Sequence, residues 1–453
     1  MVPGTQPGPP VGLEQPKAAP SPPGAHPSLY AGRPWTAGRC TGFGTAPESN
    51  ARYRRLFDGG ATTLSVTFDP PARTGHDSDA PVAPDETGGA GVTVDSLDDM
   101  RVLFAGIPLD RVSTSMTAHA SAAPLLLLYQ LAGEEQGVPA RRLAGTIRRD
   151  VCEEYLAQGT CTFPPRSSLR LVTDILEYCR AEMPGWSALS LSGHRMAEAG
   201  ASAAQEAAFM LADGIEYVRA AVSAGWDVDD VAPRLSFLFA ARASSAGESA
   251  AFRAAQRIWA RVMREEFGAR GPASLVLRHP RAAAGGPPAP RRRPAREATG
   301  DVGAAIGELL ARVEELGGAA GAVEAGFQRG EMERSAHRTT RQAGAGGRAG
   351  AGADRAPLGG EGHGGEGHGG EPHVFLCTDP DAGTRRAERT AKLRAWRCHE
   401  RVGAALTGMQ KAAAGTGNVL YPMKDALAAG ATVGEVRDAL HGVWGTRVPR
   451  DGT

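Results

Sequence analysis

The chain has 453 residues and a mass of 47.0 kDa, enough for two or three domains, and its 42% apolar share allows a sizeable core. Fifty basic and fifty acidic side chains cancel, so no global field gathers phosphate backbones and no nucleic-acid partner is expected. Six cysteines without CxxC spacing read as free thiols in a reducing compartment; with no secretory signal and no apolar run longer than Ala122 to Tyr129, the expectation is a cytoplasmic protein with no membrane partner.

Taken in chain order, residues 1–27 are rich in Pro, Gly and Ala without periodicity and read as a disordered tail. Residues 28–279 carry most of the aromatics and alternate short apolar strands with longer helical patterns. Candidate strands begin near Thr63, Val112, Leu143, Ala188, Leu235 and Ser274, and helical stretches such as PLLLLYQLAGEEQG and EAGASAAQEAAFMLADGIEYVRAAVSAG separate them. Repeated strand, loop and helix units predict an α/β fold with parallel sheet, a TIM-type (β/α) barrel with six of its eight strands evident. Residues 280–300 form a Pro/Arg-rich linker, because proline removes ladder donors and breaks long helices. Residues 301–342 read as helical with a break at Gly317-Gly318, and residues 343–385 as a glycine-rich linker. In that linker GGEGHGGEGHGG could hold a loose divalent ion, but glycine leaves such ligands unorganised, and no metal site is assigned. Residues 386–446 form a small C-terminal helical region, with Thr432 and Glu435 spaced as a capping box.

In a β/α fold of this kind the carboxyl ends of the strands carry the chemistry. Asp69, Thr117 to His119, Arg148 and Arg149, Ser192 to Arg195, Phe239 to Arg242, and Arg278 with His279 are therefore expected on one polar, basic rim. His194 beside Arg195 can act as an acid or anion-binding pair or stand as an ordinary surface turn; the imidazole titrates near neutrality and the guanidinium stays charged. Arg148-Arg149 could clamp phosphate or carboxylate. Asp69, Asp77 and Asp79 lie too near turns to be assigned as a general base. Walker, GxGxxG, HExxH and GxSxG strings are absent from the sequence, which removes the commonest nucleotide, zinc-protease and hydrolase readings.

Long strings carry more information than these patterns. SLYAGRPWTAGRCTGFGTAPESNARYR, LSVTFDPPARTGHDSD, GVTVDSLDDMRVLFAGIPLDRVSTSMTAHA, GTCTFPPRSSLRLVTDILEYC and SALSLSGHRMAEAGASAAQEAAFMLADGIEYV closely resemble the large subunit of methylmalonyl-CoA mutase and related acyl-CoA mutases. The resemblance covers residues 28–279 and resumes in the later helices. It implies an intramolecular carbon-skeleton rearrangement of an acyl-CoA threaded through a β/α barrel. It also implies adenosylcobalamin carried on a separate cobalamin-binding small subunit or domain, and assembly that can include a homo-oligomer. Arg33, Thr36, Ser65, Ser115, Thr117, Thr146, Arg234 and Ser236 match substrate-binding positions of the family. Its reaction centre is altered: Cys40 replaces a tyrosine, His194-Arg195 a Tyr-His pair, Arg148 a glutamine, and Gln158 the arginine that pairs with a substrate carboxylate. Two readings follow from that, a mutase for another acyl-CoA and a catalytically inactive homologue that binds CoA or assembles with a mutase. The last two barrel strands are also missing between His279 and Val302, which predicts an open barrel.

Overall fold

The computed structural model describes residues 44–81, 91–148, 154–158, 162–187, 189–240, 246–278, 294–344 and 382–446. Helix α1 (Ala46–Asp58), opened by a Thr45–Glu48 capping box, leads into β1 (Thr63–Thr67). Short α2 (Pro70–Thr74) and α3 (Leu97–Leu103) precede β2 (Ser113–Thr117), and α4 (Ala122–Glu135) precedes β3 (Ala144–Arg148). After a π-helical turn at Glu154–Gln158 come α5 (Pro165–Glu182) and the segment holding β4 (Trp186–Ser187) and β5 (Leu189–Ser192). Next are α6 (His194–Glu198), α7 (Ala203–Ser223), α8 (Val228–Val231), β6 (Leu235–Leu238) and α9 (Ala246–Glu265). The remainder is helical: α10 (Pro294–Glu315), α11 (Gly318–Glu324), α12 (Phe327–Gly344), α13 (Ala382–Trp396), α14 (His399–Ala414), α15 (Leu420–Ala428) and α16 (Val433–Trp444).

The strands are parallel, in a sheet of order β1-β2-β3-β4 and a β5-β6 pair. This is the alternating β/α arrangement expected of a TIM-like fold; closure into a barrel is not observed among the described residues. Leu64 and Val66 of β1, Met116 of β2, Ile147 of β3, Leu189 and Leu191 of β5, and Leu235 and Phe237 of β6 are buried, in one continuous core with the helices. Helix α4 is buried from Ala122 through Gly133 on every face, because it lies between sheet, α3 and α15. Its Tyr129 hydroxyl meets Thr114 Oγ1 at 3.0 Å, which satisfies both buried groups.

Five of the strand positions expected from sequence hold strands, the one near Ala188 being split into β4 and β5. The one near Ser274 does not. Residues 271–276 are turns that Asp229 organises, its carboxylate accepting from Ser274 Oγ at 2.6 Å and from the Gly271 amide at 3.0 Å. Among the described residues this segment touches β6 in ladder fashion at Arg278, whose carbonyl accepts from Phe237 N at 2.7 Å. Helix α10 begins at Pro294, inside the stretch expected to be a linker, with proline in the first helical position where a missing N–H does no harm. The break at Gly317-Gly318 is present, with φ of 90° and 83°, values that glycine tolerates and other residues rarely adopt.

Helices α13 to α16 pack onto the β/α layers. Met423 and Leu427 of α15 join the same core as Leu125 and Leu128 of α4. Arg170 of α5 donates to the carbonyls of Ala412, Ala413 and Gly417 at the end of α14. The expected Thr432–Glu435 capping box forms at the start of α16.

Candidate functional site

Side chains alternate across a strand, so residues two apart share a face. On the face opposite the buried aliphatics, β1 presents Thr63, Ser65 and Thr67, β2 Ser115 and Thr117, β3 Thr146, β4 Ser187, β5 Ser190 and β6 Ser236, all half-buried. Parallel register aligns them: Ser65 lies opposite Ser115, Ser115 opposite Thr146, Thr146 opposite Ser187, and Ser190 opposite Ser236. Thr146 Oγ1 donates to Ser115 Oγ at 3.0 Å, joining two neighbouring strands. The result is a belt of short hydroxyls, each with a donor and acceptor capacity. Ser187 and Ser190 belong to this belt although sequence reasoning did not single them out. The alternation in SALSLS was the available signal, but register decides which serines face inward.

The belt has two ends. At the amino-terminal end Arg234 stands just before β6, half-buried, its Nε donating to the Asp230 carbonyl at 3.1 Å, while Ser187 Oγ donates to the Arg234 carbonyl at 3.3 Å. At the carboxyl-terminal end Ser192 is fully buried, and Gly193 turns the chain into α6, which starts with His194 and Arg195. His194 is exposed, with Nδ1 3.4 Å from Glu198 Oε1 one helical turn on, and Arg195 is half-buried. Five strand residues span roughly 17 Å, which sets the scale of the separation between these two ends.

Thus Ser65, Ser115, Thr117 and Thr146 come together on one face of the four-stranded sheet and Ser236 lies opposite Ser190 in the β5-β6 pair, with Arg234 just before β6 and the His194–Arg195 pair just after β5. Arg148 closes β3 in register with Thr117, and Gln158 ends the π-helical turn; their side chains lie outside the described residues. Arg33, Thr36 and Cys40 also lie outside them, as do Arg149, Arg242 and His279. The three aspartates near turns have architectural partners. Asp69 caps α2 through the Ala72 amide and accepts from Thr93 Oγ1, Asp77 binds the start of α16, and Asp79 pairs with Arg394. Burial pushes the Cys179 thiol up to about 12, which leaves it inert at neutral pH. Among the described residues no group of His, Cys, Asp and Glu is placed to hold a metal ion, and no helix is long and apolar enough to cross a membrane.

The family model described as methylmalonyl-CoA mutase matches residues 10–286 and 297–446. The methylmalonyl-CoA mutase of Cereibacter sphaeroides is 46% identical over 263 residues, 58% of this chain and 37% of that protein. The methylmalonyl-CoA mutase large subunit of Propionibacterium freudenreichii subsp. shermanii is 47% identical over 255 residues, 56% of this chain and 35% of that protein. The human mitochondrial methylmalonyl-CoA mutase is 33% identical over 507 aligned residues, 97% of this chain and 66% of that protein. This chain therefore spans little more than a third of the matched bacterial relatives, and the human alignment exceeds its 453 residues, so that relative contains stretches with no counterpart here. With a family match over most of its length and β/α layers that present a hydroxyl-lined face, the chain belongs to the methylmalonyl-CoA mutase family.

Proposed function

We propose that the chain is an acyl-CoA mutase large-subunit homologue whose hydroxyl belt receives the pantetheine arm of an acyl-CoA. The observation that carries this reading is the aligned row of Ser65, Ser115, Thr146 and Ser187, continued by Ser190 and Ser236. Pantetheine is a narrow chain with two amides and few bulky groups, and short hydroxyls can bond those amides while leaving it room. Arg234, permanently charged, suits the nucleotide phosphates at one end. The thioester and acyl group then lie toward Thr117, Arg148, Gln158, His194 and Arg195. Arg33 and Thr36 are assigned to the CoA moiety on resemblance alone.

The carboxyl-terminal rim, with exposed His194 and Glu198, is polar and open, which fits a partner-borne corrin ring better than a closed apolar pocket would. Adenosylcobalamin, when supplied there by a cobalamin-binding small subunit, provides the radical that starts carbon-skeleton rearrangement. This chain's own part is to hold the thioester, align its acyl end and exclude water. Gln158 cannot form the ion pair that an arginine makes with a free carboxylate, so the preferred acyl group is uncharged.

A second reading, CoA binding without turnover, is favoured by His194, whose side chain is exposed and faces Glu198 in its own helix. Calorimetric titration with butyryl-CoA, isobutyryl-CoA, methylmalonyl-CoA and free CoA tests the binding. Isomer analysis with adenosylcobalamin and a mutase small subunit then separates the two readings. Saturable binding with the uncharged acyl-CoAs preferred over methylmalonyl-CoA is expected; no binding of any CoA species rejects both readings.

A further inference from the structure

The rim after β5 and β6 contains a carboxylate that none of the assignments above uses. Glu206 lies in the first turn of α7 and is buried, only 4% exposed. Its Oε1 accepts the Ala240 backbone N–H at 2.6 Å, two residues beyond the end of β6. The same side chain packs against Gly193, so closely that a Cβ added there would overlap it. Gly193 in turn donates its N–H to the Leu238 carbonyl at 2.9 Å. One carboxylate thus sets the spacing of two strand ends at the point where the chain delivers His194 and Arg195.

An apolar side chain would fill the same volume without the cost of desolvating a carboxylate, and burying ionised groups is weak support for stability. What the carboxyl group adds is geometry: a short hydrogen bond to a specific amide, just beyond the paired ends of β5 and β6. The glycine at 193 is matched to it, since only a residue without a side chain leaves room.

We propose that Glu206 is a positioning residue of the acyl end of the site, acting through Gly193 and Ala240 to place the His194–Arg195 turn against the substrate's acyl group. This rests on the acyl-CoA reading given above. Because Glu206 acts at the rim far from Arg234, its loss reaches the acyl group and leaves the nucleotide end alone.

The test compares the parent with E206A, E206Q and G193A by hydrogen exchange and by titration with butyryl-CoA and free CoA. In E206A, faster exchange is expected in peptides covering 190–198 and 236–240, with the rest of the sheet unchanged. Affinity for butyryl-CoA should fall on the order of tenfold while that for free CoA is kept. E206Q retains an oxygen acceptor for the Ala240 amide and should restore both readings, whereas G193A should reproduce E206A from the other side of the contact. If E206A leaves the two rim peptides as protected as in the parent, or loosens the whole sheet, the positioning role is wrong. Equal loss of butyryl-CoA and free CoA affinity would likewise overturn it. Should the parent bind no CoA species, the acyl-CoA reading fails by itself and the proposal, which places this turn against an acyl group, falls with it; the exchange arm then still reports whether Glu206 ties the rim.

Discussion

Asp77 shows how much a single residue can depend on distant sequence. Its carboxylate accepts from Thr432 Oγ1 at 2.6 Å and from the Gly434 amide at 2.8 Å, and the Arg394 guanidinium lies 2.7 Å away. Burial, with the nearby Asp95 charge, nevertheless pushes Asp77 up to about 7, and burial pushes Asp99 up to about 6. A carboxyl whose value is raised in the native state holds its proton more tightly there than in the unfolded chain. Its contribution to stability is therefore complete below about 4 and is lost as pH rises through 7, by up to about 4 kcal/mol for Asp77. Urea unfolding of the parent and of D77N at pH 5, 6, 7 and 8 should show the parent losing stability relative to the variant across that range. A constant difference between the two would remove Asp77 as the titrating group. From sequence, Asp77 read only as a turn aspartate, because its partners lie more than 300 residues further along the chain. By contrast Ser65, Ser115, Thr117, Thr146 and Ser236 could be named from the family strings alone, and the strand register then shows which of them stand opposite one another.

At the scale of elements, local rules identified the helices and left their packing open. The capping box of α16 was readable because Thr432 and Glu435 are three residues apart. The end of α14 was not, because its cap comes from another element: Arg170 of α5 donates to Ala412, Ala413 and Gly417 at 2.7–2.9 Å and lies over the Trp444 ring. The same gap explains the missing strand near Ser274. Its alternation is strand-like, yet Asp229 takes up the amides and hydroxyl of residues 270–274 and shapes a turn. R170A removes the guanidinium from the last carbonyls of α14, leaving Ala413 with the Trp444 Nε1 donor and Ala412 with the Gly415 amide, and hydrogen bonds from charged groups contribute about 1.5–3 kcal/mol. Destabilisation of about that size is expected in urea, with faster hydrogen exchange concentrated in residues 408–418. Unchanged exchange there would mean that water replaces the guanidinium without loss.

Across the whole molecule, the C-terminal helices share a core with the β/α layers. Leu420, Met423, Ala426 and Leu427 of α15 are fully buried, and α15 packs directly on α4, whose run of four leucines has no solvent-facing side. Polar contacts also tie α13 to the segment after β1: Arg389 pairs with Asp99, Arg394 with Asp77 and Asp79, and Thr390 Oγ1 donates to Asp95 at 2.9 Å. Removal of residues 382–446 would uncover an apolar face on α4 and strip Asp77 and Asp99 of their arginine partners and Asp95 of the Thr390 hydroxyl. Burial of apolar surface contributes about 1.5–3 kcal/mol for each fully buried Leu or Met side chain. The loss over α15 alone is therefore comparable to the 5–15 kcal/mol by which whole domains are stable. A chain ending at residue 344 is expected to aggregate on expression or to unfold without cooperativity, and adding residues 382–446 as a separate polypeptide should recover soluble material. A truncated chain that stays soluble, melts cooperatively near the parent's Tm and binds acyl-CoA as well as the parent would show that the β/α layers close over α4 without the C-terminal helices.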